Sequence, residues 1–403
     1  MMKAISNVYQ WIKDYPAYDN AIVLFLFLFF LTPLIVLFTG VSISTPLFLI
    51  VLLAVLFGYL AKGFPRKGLI VVVLFGVSIL PGIAIAFIND IPLKHIILAL
   101  TYYLKIPAFF TFFYYYVSEK HFTRLVWLVL WGMLAAFPLY ALTPGEFIDA
   151  SRERLRALGY FVSDSIYFSG TKLTEWITFP RNPGFLLSYL DSAYVLYFVT
   201  TFFIVTTRTV KEALQRLWII ALSGFLFLST FTRSTLIALP VSAVSWAYFG
   251  LLKGKQRLYL LLFVAAVALI GIILFFDTLY FLVVTQASAI VHWENIGDSL
   301  LRIAQYPFGT GFGTSGWQGF SQSPLYMYAE GSLFTGMIEM GFFYFIWQAI
   351  VGVFFFFMSR KVLFSLYLGF FVVSILLPIG FSTFFTLLMF GYAGVIYYQQ
   401  QHG

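Results

Sequence analysis

The run Ala21-Ile-Val-Leu-Phe-Leu-Phe-Leu-Phe-Phe-Leu-Thr-Pro-Leu-Ile-Val-Leu-Phe-Thr39 holds nineteen residues without a charge. About 20 apolar residues in a helix cross the roughly 30 Å of a bilayer's hydrocarbon, so this stretch reads as a membrane span. Further runs of the same kind lie at approximately 42–61, 68–88, 95–117, 122–142, 184–206, 217–232, 234–252, 258–276, 333–357, 362–379 and 381–398. The chain of 403 residues is 61% hydrophobic and 10% charged, against about 25% charged in ordinary soluble proteins. The expected fold class is therefore all-α: a polytopic membrane protein with about twelve transmembrane helices. Two polar stretches interrupt it, about 143–183 and about 277–333, and they read as large extracytoplasmic loops. Neither an internal repeat nor a low-complexity linker stands out, so residues 1–403 read as a single integral membrane domain.

Placing the charges fixes the expected orientation. With the N-terminus inside, the inner face receives Lys3, Lys13, Lys62, Arg66, Lys67, Lys120, Arg124, Arg208, Lys211, Arg216, Lys253, Lys255, Arg257, Arg360 and Lys361. Every short inner loop is then basic, while the outer arginines cluster in the two long loops, which sort poorly by charge. Both termini are expected in the cytoplasm and both large loops outside. The net charge of +8 follows from this sorting and calls for no nucleic-acid partner. The 50 Phe and 26 Tyr fit packed aromatic interfaces and interfacial belts. Without Cys there is no disulfide, thiolate metal site or Cys nucleophile. The first 20 residues carry Lys3, Lys13, Asp14 and Asp19 and no apolar core, so no cleavable signal is expected and the first span directs insertion.

So little polar chemistry remains that the candidates are few. Arg181 lies in Phe179-Pro-Arg181-Asn-Pro-Gly-Phe185, where Pro and Gly break the helix as the chain enters the membrane. Arg233 lies in Phe231-Thr-Arg-Ser-Thr235, the polar break between two spans, and Arg302 lies in the second loop. Each of these arginines has snorkelling to the interface as its plain reading. Three on one face point to an anion site, and the guanidinium fork suits lipid phosphate. Lys105 sits mid-span in Tyr102-Tyr-Leu-Lys-Ile-Pro107, either as a functional cation or as the structural partner of Asp191 or Glu339. His292 is a lone His in a polar stretch, with no second ligand at metal spacing. The Gly309-Thr-Gly-Phe-Gly-Thr314 stretch lacks the Lys-Ser/Thr of a P-loop and reads as a tight turn with N–H groups near an anion. Glu330, just before a helix entry, is the candidate general base. Glu339, about two turns deeper, reads as a buried structural hydrogen-bonder.

The order of these elements resembles the superfamily of O-antigen polymerases and O-antigen ligases, over roughly 180–345. Arg181-Asn-Pro-Gly-Phe185 followed by Ala193 looks like that superfamily's Arg-x-x-Gly-Phe entry. Leu228-Ser-Thr-Phe-Thr-Arg233-Ser-Thr resembles its Thr/Ser-Arg turn. Arg302-Ile-Ala-Gln-Tyr-Pro307-Phe-Gly-Thr-Gly311-Phe-Gly looks like its Pro-x-x-Gly-x-Gly element. Where ligases show a His-Asn start and a Glu-x-Gly end, this chain keeps the end as Glu339-Met-Gly341 but has Glu330 in place of the His, and that departure favours polymerase over ligase. The resemblance implies a metal-independent, inverting membrane glycosyltransferase of the inner membrane, without cofactor, acting in lipopolysaccharide or other polysaccharide synthesis. Its substrates would be polyprenyl-pyrophosphate-linked oligosaccharides as donor and acceptor, and its partners membrane lipids and a chain-length-regulating co-polymerase. Arg181, Arg233, Arg302 and Lys105 would bind the donor, and Glu330, with His292 in reserve, would act as base. The alternatives are a ligase acting on a lipid core, a transporter or flippase of lipid-linked sugars, and a non-catalytic scaffold.

Overall fold

The computed structural model describes residues 2–142, 167–168, 179–180, 182–207, 210–230, 232–274, 287–315, 319, 321–329, 331–377, 380 and 382–402. The architecture is helical: α1 (Met2–Asp14), α2 (Tyr18–Thr39), α3 (Ser44–Lys62), α4 (Arg66–Ile88), α5 (Leu93–Tyr116), α6 (Glu119–Leu142), α7 (Tyr189–Val205), α8 (Val210–Leu228), α9 (Arg233–Trp246), α10 (Lys255–Leu274), α11 (Ala287–Gln305), α12 (Ser332–Met340), α13 (Phe342–Ser359), α14 (Ser365–Leu376) and α15 (Thr383–His402). A two-residue pairing of Tyr167–Phe168 with Phe179–Pro180 is the sole strand pair among the described residues. Six helical segments are long and apolar enough to cross a membrane: Tyr18–Thr39, Ser44–Lys62, Gly68–Ile88, Leu93–Tyr116, Glu119–Pro138 and Phe342–Ile375. Shorter apolar helices accompany them. Large apolar side chains stay exposed around the outside, among them Leu53, Leu80, Phe263, Ile273 and Phe357. A soluble surface does not carry so much contiguous apolar area, and the chain is a multi-pass membrane protein.

Helix α5 is the axis of the bundle, buried almost continuously from Ala108 to Tyr116. It packs along α15 and runs parallel to it, Lys105 meeting Thr383 at one end and Tyr114 meeting Tyr398 at the other. Gly391 and Gly394 let the Phe113 ring and the Phe110 carbonyl come close. Lipid gives helices no hydrophobic reason to associate, so close contact through small residues is what holds such a pair. Pro33, Pro81, Pro107 and Pro138 all sit inside helices, as membrane bundles tolerate because neighbours satisfy the freed carbonyls.

The structure departs from the sequence reading in three places. The stretch 277–333 is no plain loop: α11 occupies its middle, and the partly buried Ile296 and Ile303 pack against Ala329, Phe334 and Ile338. The expected span 333–357 is broken at Gly341, which takes φ 62° and ψ −148° between α12 and α13. The N-terminal residues, read only as lacking a signal, form the amphipathic α1, with Tyr9 buried and Trp11 and Tyr15 exposed. The helical run Phe342–Ile375 turns back on itself near Ser359. Ser359 is extended there, and the Tyr367 hydroxyl donates to the Gln348 carbonyl at 2.6 Å.

Gly341 is the position where this fold needs a glycine most. A Cβ there would collide with the backbone of Pro307 and Phe308, and its dihedrals lie where L-residues are strained by roughly 1–3 kcal/mol. Gly341→Ala is expected to lower the thermal unfolding midpoint in detergent by several degrees. Gly76→Ala, where a Cβ meets nothing within 4 Å, should match the parent. Equal melting of both variants would show that the α12–α13 break is not required.

Candidate functional site

The entries of several helices converge on Leu377, Gly380, Ser382 and Thr383, which lie in the chain between the end of α14 and the start of α15. On one side, the Ser332 N–H donates to the Leu377 carbonyl at 3.1 Å, and the Gly380 N–H donates to Ser332 Oγ at 3.2 Å. On the other, Ser382 Oγ donates to Asp191 Oδ1 at 2.6 Å, and Lys105 Nζ donates to Thr383 Oγ1 at 2.7 Å. Lys105 also lies over the Tyr102 ring, 4.7 Å from its centre. It is therefore a half-buried cation held by a hydroxyl and a ring, with the Asp191 carboxylate close enough to act on it.

A second path leads from Asp191 to the arginine-bearing turns. Ser188 Oγ accepts from the Asp191 N–H and caps α7. The next residue, Ser192, donates through Oγ to the Pro183 carbonyl at 2.5 Å. Asn182 then reaches the turn between α8 and α9: its N–H donates to the Ser229 carbonyl at 3.0 Å, and Nδ2 to Ser229 Oγ at 2.9 Å. Arg181 and the Arg233 side chain lie outside the described residues, as does Glu330. Their chain neighbours Asn182, Thr232, Ala329 and Gly331 are all buried. The hydrogen-bonded path thus links the residue after Arg181 and the turn before Arg233 to Ser332, two residues beyond Glu330.

His292 lies on α11, half-buried, in a crevice that also takes in Asn295, Ser299, Gly331, Phe334 and Ile375. The structure so brings His292 beside the residue following Glu330, although 38 positions separate 292 from 330 in the chain. Arg302 does something else. Its Nη2 donates to the Leu325 carbonyl at 2.8 Å and its guanidinium lies 4.6 Å from the centre of the Tyr306 ring. It fixes the segment after the glycine-rich stretch against α11.

Glu339 explains that glycine-rich stretch. Its side chain is 2% exposed. Oε2 accepts from the Tyr103 hydroxyl at 2.8 Å, and Oε1 accepts from the Gly313 N–H at 2.9 Å. The main chain nearby is locked as well: the Gly311 N–H donates to the Glu339 carbonyl at 3.0 Å, and the Phe342 N–H to the Pro307 carbonyl at 2.8 Å. Gly309, Gly311 and Gly313 take φ of 92°, 98° and 81°, so the backbone can lie directly on Glu339 and on Ala86 of α4. The anion expected beside these N–H groups is an internal carboxylate, and Glu339 is a structural hydrogen-bonder as its depth suggested. Sequence reasoning missed Tyr103, Asn182, Ser332 and Ser382; for the last three, a small polar side chain next to Pro, Gly or a helix start was the signal to follow, while nothing local marks Tyr103.

Comparison with family models, with curated proteins and with solved structures finds no match to this chain.

The Glu339 contacts make a stability prediction. A hydrogen bond to a charged group is worth about 1.5–3 kcal/mol, and two residues sharing one should couple. Tyr103→Phe and Glu339→Ala should each destabilise the detergent-solubilised protein, and the double variant should lose clearly less than their sum. Full additivity in thermal or denaturant unfolding would refute the contact.

Proposed function

We propose that the chain is a polysaccharide polymerase of the O-antigen type, transferring a glycan from a polyprenyl-pyrophosphate donor to a lipid-linked acceptor. In this reading twelve passes thread the inner membrane, both termini are cytoplasmic, and the reaction takes place on the outer face. One observation carries it. The backbone segments flanking Arg181, Arg233 and Glu330 are joined through Ser229, Asn182, Ser192, Asp191, Ser382 and Ser332. The reading takes Arg181 and Arg233 as the cations for the pyrophosphate and Glu330 as the carboxylate for the acceptor hydroxyl, and what supports it is that their flanking segments meet.

The chemistry follows from those groups. Arg181 and Arg233 hold the pyrophosphate and neutralise the charge it gains as the anomeric C–O bond breaks. Glu330 takes the proton from the acceptor hydroxyl, whose oxygen attacks the opposite face of the anomeric carbon, giving inversion. His292, beside Gly331, is the reserve base. Lys105 supplies a further cation at the inner edge of the site, and Arg302 positions the loop that closes it. No metal or nucleotide is called on. The second reading, a transporter of lipid-linked sugars, draws on Lys105 and Asp191, polar groups within apolar helices of the kind transport paths use.

Purified protein given extracted polyprenyl-pyrophosphate oligosaccharide, without metal or nucleotide, should yield a gel ladder stepping by one repeat unit. Arg233→Ala should cut product by about two orders of magnitude or more while the protein still accumulates in the membrane. Glu330→Gln should do the same. Normal chain growth in either variant rejects that residue's role. Donor consumed only when a lipid core is added would mean ligase, and untouched donor would favour transport.

A further inference from the structure

At the far end of α5 from Glu339 lies a cavity of about 480 Å³, lined by Tyr9, Lys62, Phe64, Tyr114, Tyr115 and Tyr398. The two ends are well separated. The glycine-rich stretch meets Ala86 and His95, at the end of α4 and the start of α5, whereas Tyr114 and Tyr115 close α5, about 30 Å away at 1.5 Å per residue. Nothing in the proposed glycan transfer uses this cavity.

Its walls are built. The Tyr9 hydroxyl donates to the Tyr115 carbonyl at 2.6 Å, and the Tyr115 hydroxyl donates to the Gly63 carbonyl at 2.6 Å. Amphipathic α1 is thereby pinned to the ends of α3 and α5. Two ammonium groups stand over the ring of Tyr9: Lys62 Nζ at 4.7 Å and Lys13 Nζ at 5.1 Å from its centre. Lys13 also stands 6.0 Å from the Tyr398 ring. Neither lysine enters an ion pair among the described residues, and the described acids nearby are engaged elsewhere. Asp14 accepts from Gln10, Asp19 from Lys120 and His121, and Glu119 from Gln399. Burial, and then the Lys62 ammonium, hold the Lys13 amine down at about 8, so an anion between the two lysines would relieve a repulsion already present.

From these contacts we infer that the cavity binds the head group of an anionic phospholipid, with the phosphate between Lys13 and Lys62 and the glycerol backbone against the tyrosines. The chemistry shared with free phosphate is the pair of ammonium groups, Lys62 in the cavity wall and Lys13 beside it over the Tyr9 and Tyr398 rings. Lipid is favoured because the aromatic walls enclose far more room than a bare phosphate fills. Its mouth also lies beside α1, whose exposed Trp11 and Tyr15 have the character of interfacial anchors. Lys62, Arg66 and Lys67 give the same end a positive field, which draws anionic head groups.

Native mass spectrometry of the full chain in detergent, titrated with phosphatidylglycerol or phosphatidylcholine, tests this. Phosphatidylglycerol should bind tighter than phosphatidylcholine by about tenfold or more. Lys13→Gln with Lys62→Gln should abolish that preference, Lys13→Arg with Lys62→Arg should keep it, and Lys120→Gln, at the same end but outside the cavity, should leave it intact. Should the double variant fail to accumulate, Lys62→Gln alone decides, since that side chain is exposed. An unchanged preference in the glutamine variants overturns the assignment, and so does displacement of phosphatidylglycerol by millimolar inorganic phosphate, which would make the ligand free phosphate. Glycan transfer plays no part in this readout, so its outcome is independent of the proposed activity.

Discussion

A single buried carboxylate organises one end of this protein. Glu339 sits in α12 where apolar side chains surround it, and a lone charge there would cost several kcal/mol. The cost is offset because its two oxygens accept from the Tyr103 hydroxyl and the Gly313 N–H. Those donors belong to different parts of the chain, so satisfying one carboxylate fixes α5, the glycine-rich stretch and the α12–α13 break relative to one another. Asn89 adds a further tie, donating through Nδ2 to the Thr310 carbonyl at 2.9 Å. Remove the acid and the Gly313 N–H loses its acceptor, while the main-chain bonds of Thr310, Gly311 and Phe312 still hold the stretch.

The same rule accounts for the polar side chains around 377–383. Non-helical backbone within a membrane bundle survives only where protein or a wet cavity satisfies it. The chain is non-helical before α7, before α12 and before α15, and at each place a short polar residue does the satisfying: Asn182 and Ser188, Ser332, Ser382. Asn182 Oδ1, for instance, accepts from the Gly184 N–H at 2.9 Å. Helix interruptions and small polar groups therefore come as pairs, and their meeting between α14 and α15 is what creates a place for polar chemistry.

The sequence was legible where a signal was long and one-sided. Runs such as 21–39 and 95–117 can be nothing but apolar helices, and the corresponding helices differ from them by a few residues. Glu339 was legible as structural because it sits too deep for solvent. The partner that satisfies it was not, because Tyr103 is one of 26 Tyr and nothing local marks it. α11 was hidden by the polarity of its surface, yet Ile296, Ser299 and Ile303 recur at the spacing of one helical face. The break at Gly341 was invisible to hydropathy since apolar residues continue on both sides. Only three-dimensional contact between Gly341 and Pro307 shows why the helix must stop there.

These constraints also separate the two acids of the Glu330–Glu339 segment by role. A general base needs a free lone pair within reach of an acceptor hydroxyl and a support that does not move. Glu339 fails on reach: it is buried beneath the glycine stretch, its oxygens are held by the Tyr103 hydroxyl and the Gly313 N–H, and substrate could reach it only by dismantling that stretch. The residues flanking position 330 meet the second. The carbonyl before it, Ala329, accepts from Thr335 Oγ1 at 3.1 Å. The residue after it, Gly331, lies against the Ile375 carbonyl too closely for a Cβ. Ala329 and Gly331 are thus both held in place at the entry of α12, and Gly331 lines the His292 crevice. The deeper glutamate is therefore a structural group, and the proposed transfer reaction assigns the proton to the shallower one.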